Sequence, residues 1–311
     1  MQPVGRGKVA GMPDLDLHEL REVRAHHPEA VAEAALRRVR RRLLGGDGRL
    51  MLVAADHPAR NAIGVGDEAT AMADRNELLT RLAAALSRPG VDGVLGTADI
   101  VEDLLLLGAL DDKVVIGSMN RGGLQGAVFE LDDRFTGYDT ATLVDRGLDG
   151  GKMLCRIDLA DHGTLATLQA CATIVTELAA RGLMAMLEPF MSTRSDGRVR
   201  NDLTPDGVIR SIGIASGLGA TSSHTWLKLP VVDGMDRVMA ATTLPTLLLG
   251  GDRSGPQDEA YASWEKALAL PGVRGLVVGR TLLYPADHDV EAAVDVAASL
   301  VHAGPTAEEQ P

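Results

Sequence analysis

Aromatic residues are scarce in this chain: three Phe, three Tyr and two Trp in 311 residues. Ala, Leu, Val and 35 Gly must fill the interior instead, which favours repetitive, closely packed elements. Cysteine is nearly absent. The two present, Cys155 and Cys171, match no metal or redox spacing and read as reduced core thiols of a cytoplasmic protein. Apolar runs such as Leu104–Leu107 fall far short of the roughly 20 residues a membrane-spanning helix needs. The start, Met1–Leu17, lacks the apolar centre of a secretory signal. Positive charge is also short. With 31 basic against 43 acidic residues the net charge is −12, which argues against a nucleic-acid surface, since tracking phosphates takes a basic excess. The one basic run, Arg37-Arg38-Val39-Arg40-Arg41-Arg42, reads as the solvated face of an N-terminal helix.

Lysine is the rarest of the common charged residues. Only Lys8, Lys113, Lys152, Lys228 and Lys266 occur; the remaining basic residues are Arg. Where Arg serves as the plain positive charge, a Lys inside an apolar strand needs a chemical reason. Lys152 and Lys228 both sit in such strands.

What is present is a repeat of short apolar run, polar turn and amphipathic helix. Residues 1–49 form an N-terminal helical extension, with helical spacing over Leu15–Arg24 and Pro28–Leu44. From Leu50 the runs begin near Leu50, Val91, Lys113, Gly151, Leu183, His224, Thr246 and Gly275. Helices are expected between them, for example over Asp74–Ser87, His162–Arg181 and Pro205–Gly217. Each separation is long enough for the crossover that parallel strands require. Eight such units in about 250 residues fit a single (β/α)8 barrel over residues 50–303, followed by a disordered tail at 304–311. A doubly wound open sheet is the rival, but no G-x-G-x-x-G follows the first strand. The glycine-rich stretch Asn120–Tyr138 reads as a lid or strap over the active end.

In such a barrel the site lies at the C-terminal ends of the strands, and alternate residues point inward. In the fourth strand Lys152, Leu154, Arg156 and Asp158 share one parity, a costly arrangement unless a polar site surrounds it. Lys228 lies in WLKLP. A free lysine titrates near 10.4, and burial with neighbouring cations lowers it enough to leave a nucleophilic amine. The expected product is a Schiff base with a carbonyl, with Lys152 as the second cation. Glu188, in MLEPF, can move protons on and off the carbinolamine. Asp56, in AADHP, can bind substrate hydroxyls, with His57 beside it. Gly250, Gly251, Gly279 and Arg280 read as a phosphate cradle at the last two strand ends.

These motifs form an ordered set: AADH, GGKMLCRID, MLEPF, WLKLP, LLLGGD and GLVVGRTLLYP. The set resembles the class I aldolase superfamily of (β/α)8 barrels over roughly residues 50–302. It is most similar to the tagatose-bisphosphate and archaeal-type fructose-bisphosphate aldolase branch, with deoxyribose-phosphate aldolase more distant. With SMNRGGLQGAVFELDDRFTGYD, the whole chain also resembles an actinobacterial aldolase-like family found among inositol-catabolism genes. The resemblance implies a cofactor-free and metal-free lyase, with Lys228 as the Schiff-base lysine and Glu188 as the proton carrier. Lys152 would orient the carbonyl. Asp56 and Asp158 would serve the substrate, and the glycines with Arg280 its phosphate. It further implies a phosphorylated ketose or keto-sugar acid cleaved to dihydroxyacetone phosphate and an aldehyde, and a homo-oligomer. The inositol association points to 2-deoxy-5-keto-gluconate 6-phosphate. Two departures stand out: no Tyr follows the fifth strand, and the seventh strand carries no second Lys. Other readings of the residues are a deoxyribose-phosphate-aldolase-like activity, a metal-assisted lyase using Asp56, His57, Asp158 and Glu188, and a non-catalytic sugar-phosphate sensor.

Overall fold

The computed structural model describes residues 17–250 and 256–303. Gly251 and the 304–311 tail lie outside the described residues, as do residues 1–16. The strands are β1 (Leu50–Ala54), β2 (Gly93–Gly96), β3 (Val114–Ser118), β4 (Gly150–Ile157), β5 (Met184–Ser195), β6 (Arg198–Asn201), β7 (Thr225–Pro230), β8 (Thr246–Leu249) and β9 (Val273–Val278). Eight of them pair in parallel in the order β4-β3-β2-β1-β9-β8-β7-β5, and β4 pairs with β5 to close the barrel. The short β6 folds back antiparallel on the outer end of β5. Helices fall where the pattern predicts them, including Arg75–Ser87, Gly163–Ala179 and Pro205–Ser216. The expected (β/α)8 barrel with an N-terminal helical extension is the observed fold.

Alternation decides what the lumen holds. Leu50, Leu52, Ala54, Leu95, Val114, Ile116, Met184, Met186, Trp226, Leu247 and Val277 form an interior cluster separate from the larger core between strands and helices. Each contributing strand gives one parity to it, as the pleat requires, and β4 gives none. Where β9 pairs with β1, the backbone itself demands glycine. At Gly275, where φ is +137°, an added Cβ would lie 1.8 Å from the Leu50 carbonyl oxygen, so only glycine fits.

The N-terminal extension departs from its expected form. Helices span Leu17–His26 and Ala30–Arg37, and Arg38 turns to φ −54°, ψ 127°, which ends the second helix well before Leu44. Past Arg37, which is exposed on the helix, the arginine run is therefore not a solvated helix face. Arg38 is buried and donates to the Lys113 carbonyl at 2.7 Å and the Gly147 carbonyl at 2.5 Å. Arg40 pairs with Asp149 at 3.0 Å and Arg41 with Asp92 at 2.6 Å. Those two carboxylates also accept strand-end N–H groups, Val115 at 2.8 Å and Met51 at 2.7 Å. The run straps the N-terminal rim of the barrel, and Leu43 and Leu44 behind it pack against the interior cluster. Among the described residues no helix is long and apolar enough to cross a membrane.

Candidate active site

Following the inward parity toward the strand ends, the apolar layer gives way to charge. Asp56 follows β1, Ser118 ends β3, Lys152 and Arg156 lie on β4, Glu188 on β5 and Lys228 on β7. All six are buried; Lys152 is 1% exposed and Lys228 4%. Charges this deep are tolerated only when they are paired, and here they pair with one another. Lys228 Nζ donates to Glu188 Oε1 at 2.7 Å. Lys152 Nζ pairs with the other oxygen, Oε2, and lies 3.5 Å from Asp56 Oδ2. Glu188 is thus spanned by two lysines from the strands on either side of it.

The electrostatics follow from burial and these neighbours. Burial alone would raise the Glu188 carboxyl, but Lys152 and Lys228 overrule it and hold the group well below the usual carboxylate range. Burial lowers the Lys228 ammonium from its ordinary value; Glu188 pulls against this, and Arg121 and Arg280 add to the lowering. Lys152 is pushed well below the lysine value by burial, then by Arg121, against Glu188. His57 is kept neutral by burial first, then by Arg280 and Lys228. Its Nδ1 is buried without a hydrogen bond, 4.0 Å from Asp56 Oδ1.

Arg121 was not singled out in the sequence, and it is central here. It pairs with Asp56 and donates from Nε to Ser118 Oγ at 2.9 Å; Ser118 Oγ in turn donates to Asp56 Oδ2 at 3.0 Å. Burial lowers the Arg121 guanidinium to about 10. The only sequence signal for it is its place three residues past an inward strand end, in SMNR.

Arg156 serves the Asn120–Tyr138 segment. Its guanidinium binds Asp133 at 3.0 and 2.5 Å and lies 3.6 Å from Glu130. Asn120 acts as a side-chain strand for the upper part of β4, accepting from Leu154 N at 2.7 Å and donating to Leu154 O at 2.6 Å. The segment also locks to the loop after β1. Arg60 Nε donates to the Gly123 carbonyl at 3.3 Å, and Gln125 N to the Arg60 carbonyl at 2.8 Å. The two loops meet at the C-terminal end of the barrel.

The remaining expected residues separate. Asp158 lies just past the end of β4, and its carboxylate accepts from Ala160 N at 2.9 Å, closing a turn. An added Cβ at Gly250 would meet Val278 Cγ1 at 2.5 Å, so this glycine serves packing. At Gly279 a Cβ would lie 2.4 Å from the Ala54 carbonyl oxygen and 2.6 Å from His57 Cε1, which places this glycine against the imidazole. Arg280 lies 3.5 Å from the Gly64 carbonyl and bears electrostatically on both His57 and Lys228. Asp56, His57, Asp158 and Glu188 do not converge as a ligand set. Among the described residues no group of three or more His, Cys, Asp or Glu is arranged to hold a metal ion.

The family model of Cgl0159-like proteins matches residues 48–298. The crystal structure of Cgl0159 from Corynebacterium glutamicum is 62% identical, with a TM-score of 0.91 over 94% of this chain and 99% of that one. An archaeal fructose-1,6-bisphosphate aldolase, solved with its catalytic Lys bound to the carbinolamine intermediate, is 19% identical. It aligns at a TM-score of 0.63 over 87% of this chain and 99% of its own. The fructose-bisphosphate aldolase from Slackia heliotrinireducens is 16% identical at 0.62, over 95% and 91%. At these identities the aldolases share the fold. No curated protein matches the chain.

Proposed function

The chain belongs to the Cgl0159-like family, and from that premise we propose that it is a class I aldolase whose Schiff base forms on Lys228. The observation that carries this reading is the spanning of one buried carboxylate, Glu188, by two strand lysines at the C-terminal end of the barrel. A structural ion pair needs one lysine. A second buried amine, with both lowered by burial, is what a nucleophile and its electrostatic partner require.

In this proposal Lys228 passes a proton along its 2.7 Å hydrogen bond to Glu188 and attacks the substrate carbonyl carbon. Glu188 then returns that proton to the departing hydroxyl, and the carbinolamine loses water to become an iminium. The iminium draws in the electron pair of the bond between its α and β carbons as the β-hydroxyl loses its proton, giving an enamine and releasing an aldehyde. Protonation of the enamine and hydrolysis free the ketone. Arg121 keeps positive charge in the cluster, Lys152 lies beside it as a hydrogen-bond donor toward the carbonyl oxygen, and Asp56 is held by Arg121 and Ser118 for the substrate's hydroxyl groups. Arg280, bearing on Lys228 and His57, would hold a phosphate; Gly251, expected to share that role, lies outside the described residues.

The substrate we propose is a phosphorylated ketose or keto-sugar acid that yields dihydroxyacetone phosphate. The test follows dihydroxyacetone phosphate release from fructose 1,6-bisphosphate, tagatose 1,6-bisphosphate and 2-deoxy-5-keto-gluconate 6-phosphate, with and without chelator. Release that survives the chelator and vanishes in Lys228→Ala supports the reading; chelator-sensitive release would sink it.

A further inference from the structure

The buried carboxylates of the site have little capacity left for a substrate's proton. Glu188 holds Lys228 on Oε1 and Lys152 on Oε2. Asp56 Oδ2 takes Ser118, Arg121 and Lys152. Both can serve the groups they touch. Glu188 has no unoccupied oxygen beside Lys228 for the hydroxyl next to the breaking bond, and the remaining Asp56 oxygen, Oδ1, faces His57. The enamine also needs an acid to protonate its carbon, and a carboxylate held well below its usual range is a poor proton reservoir.

One side chain in the cluster is differently placed. His57 follows Asp56 directly, is mostly enclosed, and makes no hydrogen bond from its buried Nδ1. Asp56 Oδ1 is 4.0 Å from that nitrogen, beyond hydrogen-bond length but close enough to stabilise a positive ring. The ring is backed by Gly279, where any Cβ would strike Cε1. The ring is partly open to the site, and its buried Nδ1, with no hydrogen bond from the protein, is available to a bound substrate. The charged groups bearing on it are Arg280 after β9, Lys228 on β7, Glu188 on β5, Lys152 on β4 and Asp56 on β1.

We propose that His57 is the acid and base of the carbon–carbon step, a division of labour in which Glu188 handles only the protons of Schiff-base formation, on the Lys228 nitrogen and on the departing hydroxyl. This rests on the Schiff-base reading above. In cleavage the imidazole takes the proton of the hydroxyl on the carbon being released. The O–H electrons form the aldehyde carbonyl, and the carbon–carbon pair flows to the iminium nitrogen. The imidazolium then returns the same proton to the enamine carbon, which restores the iminium for hydrolysis, so no proton is gained or lost overall. Substrate phosphate at Arg280 favours this cycle, because it offsets a cation that suppresses the imidazolium.

The test uses dihydroxyacetone phosphate in heavy water with wild type, His57→Asn and His57→Gln. Borohydride trapping reports the Schiff base, and proton NMR reports exchange at the substrate's hydroxymethyl carbon. In both variants trapping on Lys228 should continue at wild-type yield, which shows the site intact, while exchange falls by about 10²-fold or more. Exchange within threefold of wild type in either variant would overturn the assignment. Loss of trapping in both variants would move His57 into Schiff-base formation and equally overturn it. Failure of trapping in wild-type protein would instead remove the Schiff-base reading, and this assignment with it.

Discussion

Lys228 Nζ and Glu188 Oε1 meet at 2.7 Å across neighbouring strands β7 and β5, inside a barrel whose lower layers are apolar. Because Lys152 occupies the other oxygen, removing Lys228 leaves Glu188 still paired. Lys228→Ala should therefore keep the wild-type circular dichroism spectrum while turnover drops by roughly 10⁴-fold or more. A folded variant with more than a tenth of wild-type turnover would contradict a nucleophilic role.

The converse substitution behaves differently. Glu188→Gln leaves two buried lysines facing each other with their shared anion gone. Breaking a buried ionic arrangement by removing one member costs about 3–5 kcal/mol. Urea unfolding should show a midpoint well below wild type, in contrast to Lys228→Ala. Equal stability of the two variants would mean that Glu188 is not the anchor of the cluster.

A pH-dependent clamp closes the opposite end of the barrel. His302, the last residue of the helix Val290–His302, lies 3.3 Å from Asp92 and 2.5 Å from Asp47. The bond to Asp92 foremost, opposed by burial and helped by Asp47, raises this histidine to about 9. The folded value is above the ordinary 6.5, so the stabilisation is complete below pH 6.5 and disappears as pH rises through 9. Melting temperature should fall over that interval, and His302→Gln should flatten the fall. The histidine's contribution is on the order of 2 kcal/mol after screening. An unchanged slope in the variant would refute the clamp.

Gly279→Ala probes the wall of the site. The new methyl would press on the Ala54 carbonyl, which cannot move without β1, and on the His57 ring. Overpacking of this kind costs about 1–3 kcal/mol. The expected result is a modestly lowered melting temperature with kcat reduced more than tenfold, and kinetics equal to wild type would show that the ring has room to shift.

Much of this was legible in the sequence because strand parity is a strong constraint. Lys152, Arg156 and Lys228 could be placed on one face of their strands from alternation, and Glu188 at a strand end from the barrel pattern; all four are buried. The limits are equally physical. Asp158 shares the parity of Lys152, but β4 stops at Ile157, and past the strand end alternation no longer fixes direction. Arg121 lies in an irregular glycine-rich segment with no period to read, and only its pairing with Asp56 marks it. The arginine run after residue 37 looks helical by spacing, yet Asp92, Asp149 and the strand-end carbonyls draw it into an extended strap. Long-range partners of that kind leave no local trace.

The central claim is the identity of the nucleophile, and borohydride trapping tests it most directly. The protein is incubated with dihydroxyacetone phosphate, reduced, digested and mapped by mass spectrometry. A stable adduct on Lys228 alone is the expected result. An adduct on Lys152 in its place, or none with any phosphorylated ketose tried, would contradict the account.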